Sequence, residues 1–269
     1  MFAFRPISLV GAFANDTLRF IGGVGYLLLD SFVAIPRGLF TGRGKRLGWQ
    51  NVWAQMVRVG VKSVPIVSLV VFCIGAILAL QMTPVLEGYG AAPRVADIIA
   101  IAMFRELGPL VAAIVLTGFA GASIAAELGS MVVGEEIEAL EAHAISPIRF
   151  LVLPRVLATT VMMVCLAVIA DLVGVLGGGI VGVHVVGLNG TEYLHNTFSA
   201  IVLKDFYTGL IKAAVFGTII SLLACYLGLN VQGGATGVGK ATTRTVVFTI
   251  VALIAVDLLF TAVFYYLDM

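Results

Sequence analysis

Long apolar runs separated by short polar stretches dominate the chain. A bilayer core is ~30 Å thick, so a helix that rises ~1.5 Å per residue needs ~20 apolar residues to cross it. The runs of suitable length lie at 64–82, at 107–126 with a helix that starts near Asp97, at 156–183, at about 206–229 and at 245–267. They predict five membrane segments between residues 64 and 267. Pro65 and Pro84 bracket the first segment and leave open whether it spans the membrane or is a broken, re-entrant helix.

The amino-terminal region, 1–50, contains a shorter apolar run at 20–29. That run ends at Asp30 and is followed by Pro36, so it is too short to span a bilayer. We predict that it forms a helix lying in the membrane interface. Polar residues interrupt the amino terminus, and we therefore expect no cleaved signal peptide.

Composition agrees with a membrane location. Hydrophobic residues make up 60% of the chain and charged residues 12%, and the mean hydropathy is +1.09. Soluble domains have about 45–50% apolar and about 25% charged residues. We therefore expect an all-α integral membrane protein, organised as a single domain over 1–269. The net charge of +1 gives no electrostatic reason to expect a nucleic-acid partner.

Basic residues are concentrated on one side of the predicted segments. The region 37–62 and the loops at 149–155 and 240–244 carry Lys and Arg, whereas the opposite side has Arg94 and Lys204. By the positive-inside rule, the basic side is cytoplasmic and the carboxyl terminus lies outside.

The stretch GGATGVGKATT, at 233–243, differs by one residue from a nucleotide-binding P-loop. It has Ala241 where that motif needs the Ser or Thr that binds Mg²⁺. It also joins two apolar runs, rather than a buried strand and a helix. We interpret it as a flexible cytoplasmic loop, and expect ATP and Mg²⁺ in a separate subunit. We expect no cofactor or metal in this chain, because His143, His184 and His195 lack partners at metal-ligand spacing.

Five charged residues fall inside the predicted segments, where an ionised side chain costs at least ~2.5–3.5 kcal/mol. They are Arg105, Glu106, Asp171, Lys212 and Asp257. Two cations and three anions at similar depth can pair within the protein as a purely structural network. Alternatively, they flank a cavity in which Arg105 or Lys212 meets a lipid phosphate. The spacing leaves both interpretations open.

Small residues recur at four-residue spacing in two of the predicted segments. The third segment has Gly174, Gly178 and Gly182, and the second pairs Gly118 with Ala122. This spacing lets membrane helices approach closely, and we interpret it as packing.

The sequence EEIEALEAHAISPIRF begins at Glu135 and holds four carboxylates in its first seven residues. Carboxylates in a first turn favour a helix by ~0.3–1 kcal/mol each, and Pro147 is expected to end it, so a helix is predicted over 135–146. An acidic helix is repelled by acidic cytoplasmic lipids and suits a basic groove on a soluble partner; the alternative is a solvated connector. One side carries Glu135, Glu138 and Glu141, and the other carries Ile137, Leu140 and Ala144.

Three stretches resemble the MlaE/YrbE permeases of the Mla and Mce lipid-transport ABC systems. They are FRELGPLVAAIVLTGFAGASIAAELGSM at 104–131, EEIEALEAHAISPIRFLVLPRVLA at 135–158 and GVGKATTRTVV at 237–247. The resemblance extends over the chain from about Val52 onward. One departure is Phe119, where members of the family often have Arg.

The resemblance implies a homodimeric, multi-pass permease of the inner (cytoplasmic) membrane. In the family, a cytoplasmic ABC ATPase binds the coupling helix and MCE-domain lipid-binding proteins sit on the outer face; a STAS-domain protein is a further candidate partner. Phospholipid occupies a pocket at the dimer interface, lined by the first, second and last membrane helices. The residues expected to couple to the ATPase are Glu135, Glu136, Glu138, Leu140, Glu141, Pro147 and Arg149. Those expected at the lipid pocket or in its charge network are Leu78, Gln81, Met82, Arg105, Glu106, Lys212 and Asp257.

We therefore predict a non-catalytic ABC permease subunit that moves phospholipid between the inner membrane and an MCE-domain partner, with a role in outer-membrane lipid homeostasis. A second hypothesis is a secondary, ion-coupled transporter that uses Asp171 and Asp257. A third, an intramembrane lipid enzyme, lacks a recognisable nucleophile. Co-purification of an ATPase distinguishes the first hypothesis from the second.

Overall fold

The computed structural model describes residues 15, 18–31, 33 and 45–267, and no strand occurs among them. Five helical stretches are long and apolar enough to cross a bilayer, which confirms the predicted all-helical membrane architecture. The predicted amino-terminal region lies outside the described residues at 1–14 and 34–44. The stretches, here called the first to fifth spans, are Trp49–Glu87, Ala92–Val133, Ile148–His184, Leu203–Leu229 and Gly234–Tyr266.

The first and second spans contain several α-helices joined by short 3₁₀ or π turns, the third is a π turn followed by one α-helix, and the fourth and fifth are single α-helices. We call the end of the bundle that carries α7 the inner end and the opposite end the outer end. The π turns are Met103–Leu107, Thr117–Gly121 and Ile148–Val152. The α-helices are α1 (18–31), α2 (Lys45–Val59), α3 (Val64–Glu87), α4 (Val95–Ala102), α5 (Gly108–Leu116), α6 (Ala122–Val133), α7 (Glu136–Ala142), α8 (Leu153–His184), α9 (Gly190–Ala200), α10 (Leu203–Leu229) and α11 (Gly234–Tyr266).

Prolines explain two of the π turns. Pro109 follows the turn Met103–Leu107 by two residues, and Pro154 follows Ile148–Val152 at the same distance. A proline inside an α-helix has no N–H to donate, and its ring clashes with the carbonyl four residues earlier. A widened turn moves that carbonyl aside, so each span continues through its proline instead of breaking.

The first span does not break at Pro84. Helix α3 runs through this residue for 24 residues in all, from Val64 to Glu87. At ~1.5 Å per residue it is ~36 Å long, enough to cross a hydrocarbon core of ~30 Å. The continuous helix lends no support to the alternative of a broken, re-entrant segment.

Glycines bring α3 and α8 into backbone contact. A Cβ atom at Gly75 would overlap the carbonyl oxygen of Gly174, and one at Gly177 would overlap the carbonyl oxygen of Phe72. The predicted close packing of the third span is therefore confirmed. By contrast, a Cβ atom at Gly118 would meet nothing within 4 Å, so this glycine serves no contact within the described chain.

Helix α9 covers the outer end of α8. The Asn189 side chain caps it by accepting hydrogen bonds from the backbone N–H groups of Thr191 and Glu192. Tyr193 is buried against the glycines of α8 and donates a hydrogen bond to the Val175 carbonyl at 3.2 Å. Burial raises the pKa of the Tyr193 phenol to about 12, so this donor keeps its proton at physiological pH.

The described part of the amino-terminal helix, α1, packs on the inner ends of the fourth and fifth spans. The Phe20 ring lies 5.3 Å from that of Tyr226 in α10 and 5.5 Å from that of Phe248 in α11. Leu27 is buried, and the Ser31 hydroxyl donates to its carbonyl. A helix is thus found where the short apolar run predicted one, and its interfacial position remains a prediction.

The prediction of a flexible loop at 233–243 is wrong. Helix α11 already begins at Gly234, immediately after Gly233, whose φ of 90° is left-handed. Small residues here allow close packing: a Cβ atom at Gly237 would overlap the Gln232 carbonyl oxygen, and Ala241 is buried. Of the glycines that suggested flexibility, Gly237 therefore serves contact with the preceding turn.

Glycine contact between α3 and α8 yields a stability prediction. Gly75→Ala places a methyl group against a backbone carbonyl that has no room to move, and we expect it to lower the free energy of unfolding by about 1–3 kcal/mol. Gly239→Ala, in α11, is the control because a Cβ atom there meets nothing within 4 Å. Thermal unfolding in detergent measures both, and equal unfolding temperatures for the two variants would contradict the backbone contact.

Candidate functional site

The ammonium group of Lys212 is buried at the junction of three spans. Its side chain is 1% exposed, and Nζ lies 2.6 Å from Glu106 Oε1 and 3.0 Å from Asp257 Oδ1. It also donates a hydrogen bond of 3.1 Å to the Thr261 hydroxyl, which lies 2.8 Å from the same Glu106 oxygen. The Phe264 ring centroid is 5.9 Å from Nζ. This cluster joins the second, fourth and fifth spans through one cation.

Arg105 belongs to a neighbouring ion pair. Its Nε lies 2.8 Å from Asp205 Oδ1, with 43% of the Arg105 side chain and 9% of the Asp205 side chain exposed. Arg105 was predicted to lie near Lys212 and Asp257, but its partner Asp205 was not predicted. Asp205 lies close to the start of its apolar run, where a charge is not unusual. Its spacing from Lys212, about two helical turns, is a signal that could have identified it.

Backbone geometry brings these charges together. Arg105 and Glu106 are consecutive residues of the π turn Met103–Leu107, and each pairs with a residue on α10. Between the α10 partners lies Gly209, where a Cβ atom would overlap the carbonyl oxygen of Phe104. The second and fourth spans can approach closely at this point because Gly209 has no side chain.

A cavity of about 430 Å³ opens beside the cluster, at the outer ends of the fourth and fifth spans. Three cations face it, whereas two of the carboxylates that balance them, Asp205 and Asp257, do not line it. The cavity therefore presents mainly positive groups, with a hydroxyl and aromatic rings beside them. The lining residues are Arg105, Glu106, Lys204, Thr208, Lys212, Thr261, Phe264 and Tyr265.

Four predicted residues lie apart from this cavity. Leu78, Gln81 and Met82 are on α3, where Leu78 and Met82 pack on the core and Gln81 is exposed. Their role at a lipid pocket between two copies of the chain remains a prediction. Asp171 is 1% exposed in α8, against Gly108, and does not line the cavity. Asp171 and Asp257 thus form no common site within the described chain.

At the inner end, α7 presents a row of exposed carboxylates. Glu135, Glu136, Glu138 and Glu141 are exposed, whereas Ile137 and Leu140 are partly buried against the core, as the amphipathic pattern predicted. Arg149 is exposed just before α8. Leu140 also lines an apolar groove of about 370 Å³ with Met131, Ala139, Ile145 and Phe150.

The predicted end of this helix needs correction. The helix ends at Ala142, not at Pro147, because Ala144 adopts a left-handed φ of 57°. The Ile145 N–H then donates to the Leu140 carbonyl at 2.9 Å and closes the end in a tight turn. Pro147 instead directly precedes the π turn Ile148–Val152.

A second ionic network at the inner end was not predicted. Glu127 in α6 accepts from Arg58 in α2 at 2.7 Å and pairs with Arg155 in α8 at 3.1 Å. Arg155 is buried and also donates to the Leu151 carbonyl. Glu127 lies one residue beyond the uncharged run that ends at Ala126, and a charge in that position was a signal for this network.

Residues 52–263 match the family described as Permease MlaE. The chain belongs to the MlaE permease family. The resemblance seen in the sequence is therefore confirmed, and the match covers all five spans almost completely.

Relatives agree over nearly the whole chain. A probable ABC transporter permease protein of Rickettsia typhi is 37% identical over 255 residues, covering 95% of this chain and 97% of the relative. The intermembrane phospholipid transport system permease protein MlaE of Haemophilus influenzae is 30% identical over 260 residues, covering 96% and 97%. The chloroplast protein TRIGALACTOSYLDIACYLGLYCEROL 1 of Arabidopsis thaliana is 30% identical over 220 residues, covering 82% and 63%. This MlaE-family chain is thus a multi-pass ABC transporter permease, a class of subunit that is generally non-catalytic.

Removal of the buried cation tests the cluster. Lys212→Met leaves the Glu106 and Asp257 carboxylates without their partner, and we expect a loss of about 3–5 kcal/mol in the free energy of unfolding. The triple variant Lys212→Met/Glu106→Gln/Asp257→Asn removes the charges together and should recover most of that loss. Unfolding temperatures in detergent compare the two, and a fully stable Lys212→Met variant would contradict this account.

Proposed function

We propose that this permease carries phospholipid and is driven by a separate ATPase. The observation that carries the proposal is the cavity beside Lys212, which gathers cationic groups at a depth where bare charges are costly. Lys212 lies ~14 Å along α10 from its first residue, Leu203, at ~1.5 Å per residue. The Haemophilus influenzae relative is named for phospholipid transport, which supports the same substrate.

The chemistry of the cavity suits a lipid headgroup. Arg105 and Lys204 can donate charge-assisted hydrogen bonds to a phosphate. Phe264 and Tyr265 provide apolar surface for the glycerol backbone and the start of the acyl chains. Lys212 already has carboxylate partners, so its main role is to hold the three spans together beside the bound headgroup.

We further propose that the working unit is a homodimer. Arg105 and Glu106 keep 43% and 35% of their side chains exposed, which is costly next to hydrocarbon. Nearby on α11, Leu258 and Leu259 are 69% and 63% exposed. A second copy packed along α11 would cover this apolar surface and enclose the half-exposed charges in one shared lipid pocket.

At the inner end, α7 is the proposed contact for the ATPase. Its exposed glutamates can pair with a basic groove, while the apolar groove beside Leu140 can receive a hydrophobic side chain of the partner. Ile137 and Leu140 pack on the bundle, so a force on α7 is transmitted to the second and third spans. We place the protein in the inner membrane, with an MCE-domain protein on its outer face and a STAS-domain protein as a further candidate partner.

The ion-coupled alternative has less support. It requires acidic groups that take up and release ions along one path, but Asp257 is held by Lys212 and Asp171 lies elsewhere. The ABC-permease relatives also favour a separate ATPase. We therefore retain ATP-driven transport as the proposed mechanism.

Charge reversal tests ATPase docking. Glu135, Glu138 and Glu141 are exposed, so changing all three to Lys should leave the fold intact and reverse the charge presented to the partner. We expect the variant to purify without the ATPase subunit that accompanies the unchanged chain. The matched control reverses Glu87 and Glu192, which are exposed at the outer end. Retention of the ATPase by the triple variant, or its loss from the control, would refute docking at α7.

A photo-crosslinker tests the lipid cavity. Tyr265 lines the cavity and is 80% exposed, so Tyr265→p-benzoylphenylalanine keeps an aromatic ring in place. After extensive washing in detergent, illumination should attach phospholipid to this position, detected by mass spectrometry. Tyr89→p-benzoylphenylalanine, at an exposed tyrosine outside the cavity, is the control and should lose its lipid on washing. Equal lipid adducts at both positions would show general lipid contact and overturn the proposed pocket.

Neutralisation then decides between the structural and functional interpretations of the charges. If the triple neutral variant at Lys212, Glu106 and Asp257 folds and still transports lipid in a reconstituted complex, the cluster serves structure alone. Loss of transport in a stably folded variant would assign it a direct part in the transport cycle.

A further inference from the structure

A second polar cavity lies at the inner end, between the first and second spans. Its volume is about 260 Å³, and its walls come from α2, the 3₁₀ turn before α3, the second π turn of the second span and the start of α6. The polar or aromatic groups that line it are Gln55, Arg58, Lys62, Ser123 and Phe119. None of these residues lines the cavity beside Lys212.

This cavity lies at headgroup depth on the inner side of the membrane. Lys62 comes two residues before α3, whose 24 residues extend ~36 Å at ~1.5 Å each to the outer end at Glu87. A hydrocarbon core of ~30 Å ends before Lys62 is reached. The side chains of Arg58 and Lys62 therefore lie where the phosphates of the inner leaflet are found.

The charges around the cavity do not balance. Arg58 and Arg155 share one carboxylate, Glu127, and Lys62 is exposed with no ion pair among the described residues. The Arg58 guanidinium also donates to the Ser123 hydroxyl at 3.3 Å, which fixes it at the wall of the cavity. The site thus carries an excess of positive charge, and its Arg58 guanidinium is held in position.

One buried hydrogen-bond acceptor near the cavity also has no donor within the described chain. The Gln55 Oε1 atom is buried and has no hydrogen-bond partner within the described chain. A buried acceptor without a donor is unfavourable, so a ligand that supplies an O–H or N–H group would relieve it. A phosphodiester alone satisfies the cations but has no hydrogen to donate to this oxygen.

We propose that this inner cavity binds the headgroup of a phospholipid of the inner leaflet, with its phosphate on Arg58 and Lys62 and a headgroup donor on Gln55. Phe119, 40% exposed, lies alongside the glycerol backbone, and the acyl chains extend into the bilayer. The cavity is then a loading site for the lipid that the proposed function transports, and this inference rests on that function. A headgroup with hydroxyl or ammonium donors, such as phosphatidylglycerol, is favoured over phosphatidylcholine, which has none.

Crosslinking from the cavity wall tests the proposal. The full chain with Phe119→p-benzoylphenylalanine is placed in nanodiscs that contain equal amounts of phosphatidylglycerol and phosphatidylcholine. We expect phosphatidylglycerol adducts to exceed phosphatidylcholine adducts about tenfold, since one neutral hydrogen bond to the buried Gln55 oxygen is worth about that factor. Equal adducts of the two lipids would overturn recognition of the headgroup.

Charge variants identify the phosphate contact. Added to the crosslinking chain, Lys62→Gln should reduce the phosphatidylglycerol adduct about tenfold, because it removes a cation that faces the phosphate. Among the described residues Lys62 has no ion pair whose loss would disturb the fold. Lys240→Gln, an exposed inner-end lysine outside the cavity, is the matched control and should leave the adduct unchanged. Equal effects of the two variants would show general attraction to an acidic membrane and contradict a built site.

Two further measurements complete the test. The first distinguishes a lipid phosphate from free phosphate, and the second distinguishes failure of the loading site from failure of the proposed function. Inorganic phosphate should not displace the adduct; displacement would mean that the site takes free phosphate instead of lipid. If the Phe119 position gives no lipid adduct while the Tyr265 position does, the loading site is wrong and the transport proposal stands. If Tyr265 also gives none, the proposed function itself fails.

Discussion

A lysine ammonium cannot remain ionised in the middle of a membrane without carboxylates beside it, and Lys212 takes them from two other spans. The π turn Met103–Leu107, α10 and α11 must therefore meet near this side chain, whatever their apolar faces prefer. Apolar side chains gain little by leaving lipid for protein, so ionic and hydrogen-bonded contacts carry more of the specificity here than in a water-soluble core. The outer cavity lies at this junction because hydrocarbon side chains cannot favourably fill the space beside a charged cluster.

The second span supplies a carboxylate to both ionic networks. Glu106 meets Lys212 toward the outer end, and Glu127 meets Arg58 and Arg155 toward the inner end. One span is thereby tied to all the others, to the fourth and fifth above and to the first and third below. Between α3 and α8 the contact is of another kind, with backbone against backbone at glycines. The third span takes part in both kinds of contact, because Arg155 in α8 also pairs with Glu127.

Much of this architecture could be predicted from the sequence. The length of the apolar runs was enough to predict the five spans, and charged residues within those runs identified Lys212 and Asp257. Both signals reflect the free energy that it costs to place polar groups in lipid. Asp205 and Glu127 were overlooked because a charge at the edge of a run looks like an ordinary boundary. The start of α11 and the end of α7 depended on left-handed residues, Gly233 and Ala144, whose conformation is set by neighbouring packing. The spacing of residues along the sequence does not reveal such packing contacts.

The two π turns of the second span change which residues lie on the same face of the helix. Each turn closes with a bond to the fifth residue back, from Gly108 to Met103 and from Ala122 to Thr117, so each inserts one residue into the helical repeat. The three α-helical pieces consequently present faces that are out of phase by roughly 100° per inserted residue. A helical wheel drawn through all three would mix residues that face lipid with residues that face protein. Substitution tolerance along this span will follow three separate periodicities, with a change of phase at each turn.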